Sequence, residues 1–182
     1  MYIKLIILFL LFPFITNAQL FKTESKKWNE DEVSARTTDS TVYFLDTSQI
    51  KRSSLSFIEP DNIASIIAFF EDEPDLPLIF KPYIKHGVIQ LISKNYAISV
   101  YRKELSKISN EYKELTKHHS NDWDSILYII EGDTLTPNIE GKLVKMNFSQ
   151  IKDIQVLSPE EAQKTYFDQG KYGVVFINSR KD

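Results

Sequence analysis

The side chains able to do chemistry are few and poorly grouped. His118 and His119 lie close to Asp122 and Asp124, the one cluster with metal-ligand residue types. Adjacent residues on a helix point about 100° apart, so this histidine pair does not converge on an ion as an i, i+4 pair does. With no cysteine in the chain and no third histidine nearby, the cluster reads as the solvated end of a helix, where cations suit the dipole. Glu71, Asp72, Glu73 and Asp75 offer oxygen ligands, but they lack the spaced loop and glycine of a calcium hand, and Pro74 interrupts them. Glu160 and Glu161 form an acid pair at the expected start of a helix, where the dipole accounts for them. Serines occur without a Gly-x-Ser-x-Gly elbow, and His86 stands beside Gly87 in an expected turn. Gly170 and Gly173 precede a strand rather than a helix, so they do not aim helix N-terminal amides at an anion. No catalytic, metal-ligating or cofactor-binding residue is assigned, no cofactor is expected, and the expectation is a protein that is not an enzyme.

The elements that would position any site begin after an export signal. Lys4 is followed by the apolar run from Leu5 to Ile15, which contains Pro13 and ends in Thr16-Asn17-Ala18 ahead of Gln19. A helix crossing the ~30 Å hydrocarbon core needs about 20 apolar residues. This run is shorter, and small residues occupy the cleavage positions, so cleavage after Ala18 is expected, with an uncleaved membrane anchor as the alternative. The location implied is periplasmic or secreted, with no membrane span after cleavage. Without cysteine the protein has no disulfide to staple it in an oxidising compartment, and its hydrophobic core must suffice. The formal net charge of −3 becomes one unit more negative when Lys4 is lost, which argues against nucleic acid or an anionic membrane surface as partner.

Residues 19–39 are polar and charged, with Trp28 and Val33 isolated among them, and read as a flexible leader. Val42-Tyr43-Phe44-Leu45 has the β-branched and aromatic content of a short buried strand, closed by Asp46 and the polar Thr47-Ser48-Gln49. Ile66-Ile67-Ala68-Phe69-Phe70, Leu78-Ile79-Phe80 and Gly87-Val88-Ile89-Gln90-Leu91-Ile92 continue the series, and residues 97–101 are compatible with extending that sheet. Tyr101, Leu105, Ile108, Tyr112 and Leu115 step by four, three, four and three, which predicts an amphipathic helix over 102–118 with a mixed-charge outer face. Ile126-Leu127-Tyr128-Ile129-Ile130, then Leu135, Leu143, Val144, and Ile151 to Leu157 again look like strands punctuated by turns. Ser158-Pro159-Glu160-Glu161 joins a capping residue, a first-turn proline and early acids, predicting a short helix from Pro159 to about Phe167, ended by Gly170 and Gly173 before Val174-Val175-Phe176-Ile177.

The two halves repeat. Val42 to Asp46 matches Leu127 to Glu131, Asp61 to Ile66 matches Ser149 to Ile154, and Gly87-Val88-Ile89 matches Gly173-Val174-Val175. Tyr43 to Tyr128, Ile63 to Ile151 and Gly87 to Gly173 are shifts of 85, 88 and 86 residues, a near-constant offset that unrelated apolar runs would seldom produce. In the second half, Asp153-Ile154-Gln155-Val156-Leu157, Pro159-Glu160-Glu161-Ala162, Tyr166 and Gly170 to Ile177, with Tyr128-Ile129-Ile130-Glu131-Gly132 before them, resemble the plug domain of TonB-dependent outer-membrane receptors over residues 128–179. Phe167 stands where that family commonly has glycine, and Glu131 replaces its usual aspartate. The first copy, over residues 42–94, is a degenerate relative that keeps Ile63, Ile66, Tyr83 and the Gly87-Val88-Ile89 strand.

The resemblance implies a fold more than a chemistry, since glycines for close packing and aliphatics for a core explain every matching residue. The family's barrel needs many strands of about 9 to 11 residues, and the two units already consume the chain, so transport by this chain alone is not expected. The resulting expectation is an α+β protein with an export signal (1–18), a flexible leader (19–39), a first plug-like unit (40–101), a connecting helix (102–122) and a second plug-like unit (123–182). Its expected role is a non-enzymatic protein-interaction module of the cell envelope, whose partner is an envelope protein such as an outer-membrane receptor, or a second copy of itself. The alternative is an envelope enzyme or small-molecule-binding protein with an unrecognised site.

Overall fold

The computed structural model describes residues 37–71, 76–118, 126–135 and 138–180, so the stretches expected to be an export signal (1–18) and, for the most part, a leader (19–39) lie outside the described residues. The chain divides into two compact units, with the boundary between Ala97 and Ile98.

In the first unit, β1 (Val42–Leu45) alternates its side chains between two apolar clusters. Tyr43 and Leu45 join Leu55, Ile58, Ile63, Ile66, Ile89 and Leu91, whereas Val42 and Phe44 join Phe69, Phe80, Tyr83 and Val88. The period of two thus buries the strand on both faces. Asp46, at a φ of 57°, opens a two-residue turn, and β2 (Ser48–Ile50) returns antiparallel, with Leu45 opposite Ser48. β3 (Ile63–Phe69) and β4 (Val88–Ser93) complete a four-stranded sheet in the order β2-β1-β4-β3, with β1 parallel and β3 antiparallel to β4.

The second unit repeats this plan strand for strand. β5 (Leu127–Ile130), β6 (Asp133–Thr134), β7 (Ile151–Leu157) and β8 (Val174–Ser179) form a sheet in the order β6-β5-β8-β7, again with a parallel central pair. Registers agree as well. Val42 lies opposite Val88 as Leu127 lies opposite Val174, and the irregularity between Ile63 and Ser65 recurs between Ile151 and Asp153. Short 3-10 turns, Pro60–Asn62 and Phe148–Gln150, lead into β3 and β7. The carbonyls of Gly87 and Gly173 accept the first strand amides, Val42 at 3.0 Å and Leu127 at 3.2 Å.

A carboxylate closes each hairpin. Asp46 Oδ1 accepts the Ser93 amide at 2.7 Å and its Oδ2 accepts the Ser93 hydroxyl at 2.9 Å, while Glu131 Oε1 accepts the amide of Ser179, the corresponding residue of β8. Both acids have positive φ, 57° and 51°. The turn therefore holds the end of the next strand but one, tying the hairpin to its parallel neighbour.

The region expected to form one helix over 102–118 is two helices, and the first starts earlier. α1 (Lys94–Ile108) takes in residues 97–101, so that stretch does not extend the sheet. Ser93 caps it, its hydroxyl oxygen accepting the Tyr96 amide at 3.2 Å. Ser109 then breaks the run: its hydroxyl oxygen accepts the Tyr112 amide at 3.1 Å and starts α2 (Asn110–His118). The break takes Ile108 out of the apolar stripe, leaving it 41% exposed, and buries Ser109 in its place. The unit boundary, between Ala97 and Ile98, falls within α1. Leu143, read from sequence with the strands, ends the short helix α3 (Ile139–Leu143), capped by the Asn138 side chain on Gly141 N–H.

α4 (Pro159–Tyr166) begins and ends as the sequence predicts, and lays Ala162 and Tyr166 against Leu127, Ile129, Leu157, Val174 and Phe176. The first unit has a 3-10 helix, Leu78–His86, before its last strand, and Pro82 inside it removes an amide that an α-helix would need. Leu78-Ile79-Phe80 is therefore not a strand.

Gly173 and Gly132 test this packing against backbone conformation alone. A Cβ on Gly173, at a φ of 100°, would lie 2.9 Å from Leu115 Cδ1 and 3.0 Å from the Leu157 carbonyl oxygen, whereas one on Gly132, at 88°, meets nothing within 4 Å. Gly173→Ala should cost about 2 to 4 kcal/mol in urea denaturation, adding a clash to the strain, and Gly132→Ala only about 1 to 2 kcal/mol. Equal losses would contradict the close approach of Leu115.

Candidate functional site

The residues singled out in the sequence for their chemistry mostly serve local structure. Ser158 and Glu161 form a reciprocal cap: Ser158 Oγ accepts the Glu161 amide, and Glu161 Oε2 accepts the Ser158 amide at 3.1 Å. The hydrogen bond from the Ser158 side chain, at 2.8 Å, holds the Glu161 carboxyl below its usual range. Its neighbour Glu160 pairs with Lys164 at 3.6 Å in the open. Gly170 lets the chain pass α4 closely, since a Cβ there would sit 2.6 Å from the Ala162 backbone. His86 is exposed at the end of its 3-10 helix, and Gly87 follows it with a φ of 72°.

His118 closes α2, while His119, Asp122 and Asp124 lie outside the described residues, so the structure does not bring that cluster together or separate it. Glu71 is exposed, and Asp72, Glu73 and Asp75 are likewise outside. Among the described residues no group of three or more His, Asp or Glu side chains is placed to hold a metal ion, and no helix is long and apolar enough to cross a membrane.

The sequence reading missed a cluster of three tyrosines on the second unit. Tyr128, from the centre of β5, meets Tyr112 of α2 hydroxyl to hydroxyl at 3.0 Å and meets the Tyr101 ring of α1 edge-on at 6.1 Å. All three are fully buried. Their signal in the sequence was indirect: Tyr101 and Tyr112 lie on the apolar stripe, but nothing local pairs either with β5. Burial pushes the Tyr112 phenol up to about 12 and raises Tyr101 and Tyr128 as well, since a phenolate would lose its hydration. The cluster fixes α1 and α2 to β5.

What the fold leaves outward are strand edges and one strained aromatic. Among the described residues the sheets end at β2 and β3 in the first unit and at β6 and β7 in the second. Phe167, the residue after α4, has φ 50° and ψ −132°, a conformation glycine adopts freely, yet its side chain is 77% exposed.

Raised phenol pKa values make the fold sensitive to alkali. Each tyrosine contributes stability that is fully present below the unfolded-state value of about 10 and is lost as pH rises through the folded-state value, about 12 for Tyr112. Tyrosinate absorbance from the buried residues should therefore rise cooperatively with loss of circular dichroism above about pH 10, whereas gradual ionisation without unfolding would contradict the burial. Phe167→Gly should raise stability by about 1 kcal/mol, because relief of backbone strain outweighs the added entropy of the unfolded chain. A loss in chemical denaturation would show that the Phe167 ring contributes packing. Neither a protein-family model, nor a curated protein, nor a solved structure matches this chain.

Proposed function

We propose that this chain is an exported, non-enzymatic interaction module of the cell envelope, built from two plug-like units and binding another envelope protein through the margins of its sheets. The observation that carries the proposal is the duplicated four-stranded sheet: among the described residues β2-β1-β4-β3 and β6-β5-β8-β7 each end in a short strand on one side and a seven-residue strand on the other instead of closing into a barrel. Open edges present backbone donors and acceptors that recruit a further strand. The residues resembling receptor plugs add support, because they fall in order on β7, α4 and β8 around the closely packed Gly170 and Gly173. Transport by the chain alone is no part of this role, and the expected residence is the periplasm or the exterior after cleavage at Ala18.

Photo-crosslinking in the native cell tests it. A photoreactive residue replacing the exposed Gln49 on β2 or the exposed Asn62 at the head of β3 should give an adduct with a defined envelope protein, and the same residue at Lys164 on α4 should not. The chain recovered from the envelope fraction should begin at Gln19. Absence of any adduct from the edges, together with a purified protein whose melting temperature rises on adding a small metabolite, would replace the interaction role with ligand binding.

A further inference from the structure

The two units offer an internal comparison of one strand in two versions. β3 and β7 occupy the same edge, carry the same irregularity and pair in the same register with β4 and β8. β7 bears Lys152, Asp153 and Gln155 where β3 has Ala64, Ser65 and Ile67. Charges on an edge strand discourage further pairing, so β7 is guarded in the manner usual for exposed edges. Asp153 is also engaged with Gln155 and Asn178, and α2 packs against β7. β3 has no such guard. From Ile63 to Phe69 it reads Ile-Ala-Ser-Ile-Ile-Ala-Phe, without charge or proline, and Ile66, Ile67, Ala68 and Phe69 are only half-buried although the inner strands of the sheet are covered on both faces. Among the described residues no strand other than β4 pairs with it.

An uncharged, β-branched edge of this kind is an aggregation hazard unless something occupies it. Its flanks indicate what. Glu59 and Asp61 precede the strand, both exposed, and exposed Glu71 follows it, at the head of the acidic sequence Glu71-Asp72-Glu73. A second copy pairing antiparallel would set the Asp61 end of one strand against the Glu71 end of the other, acid against acid at both margins. A strand with basic ends meets no such repulsion.

We propose that the outer edge of β3, over residues 66–69, accepts an extended strand from a partner protein whose apolar core is flanked by lysine or arginine. The assignment deepens the interaction role proposed above and presupposes it. Backbone pairing supplies the binding, the Glu59, Asp61 and Glu71 margins select the basic flanks, and the guarded β7 edge leaves the second unit out of this contact.

Two short peptides sharing a core of alternating valine and threonine, one with lysines at both ends and one with glutamates, test the assignment on the full chain. The lysine-flanked peptide should slow amide hydrogen exchange at residues 66–69 and leave β7 unchanged. The glutamate-flanked peptide should bind about tenfold more weakly, and added salt should narrow the difference. Ile67→Lys should abolish the protection, and Ile67→Gln, which copies the residue that β7 tolerates at this position, serves if the lysine variant unfolds. Protection at β7, equal binding of both peptides, binding of neither, or a dimer that dissociates in the Ile67 variants would each overturn the assignment. If neither peptide protects β3 while cellular crosslinks still form at Gln49, the strand assignment fails and the interaction role stands; absence of all crosslinks removes that role itself.

Discussion

The parallel ladder between β1 and β4, repeated between β5 and β8, is the constraint from which the rest of each unit follows. Parallel neighbours cannot be joined by a tight turn, so the chain must leave the first strand, make its hairpin, cross to the far edge and return. The hairpin strand and the returning strand then flank the central pair, giving an order with one parallel and two antiparallel contacts. Asp46 and Glu131 secure that arrangement from the turn, because each carboxylate reaches past its own hairpin to the end of the parallel partner. An acid at this turn does what a glycine would not: it accepts hydrogen bonds from a residue far away in the chain while holding a positive φ.

The two units keep the ladder and diverge in what covers it. In the second, α4 lies on one face of the sheet, the buried tyrosines with α1 and α2 on the other, and Gly170 and Gly173 permit the close approaches. In the first, a proline-containing 3-10 segment replaces the helix, and Phe80 and Tyr83 meet Phe44 edge to face at ring distances of 4.9 and 5.6 Å. Aromatic filling thus stands in for helix packing where Pro82 forbids a regular helix. The edges diverge too, since the polar side chains of β7 have small or apolar counterparts on β3. The duplicated fold thus has one edge strand with charged side chains and one without.

Much of this was legible in the residues. The offset between Tyr43 and Tyr128, Ile63 and Ile151, and Gly87 and Gly173 identified equivalent positions that the strand registers reproduce, because alternation and turn residues are local properties of a strand. Ser158, Pro159 and Glu161 marked α4 for the same reason: a cap is satisfied within its own first turn. The hairpin returns β2 and β6 were missed because Ser48-Gln49 and Asp133-Thr134 are polar and gain their strand conformation from pairing alone. The helix break was missed because Tyr101, Leu105, Ile108, Tyr112 and Leu115 fit one uninterrupted stripe, and only the Ser109 hydroxyl, by capping Tyr112, ends it.

By itself, then, the sequence determined the apolar strands β1, β3, β4, β5, β7 and β8, the capped helix and the repeat of the halves, since each is written in the spacing of neighbouring residues. Only the tertiary structure decided which strands run parallel, that three tyrosines from separate elements meet in one core, and that β3 and β7 are edges. Those properties depend on which segments become neighbours in space, and the free energy that selects the neighbours is shared across the whole packed unit rather than held in any local stretch.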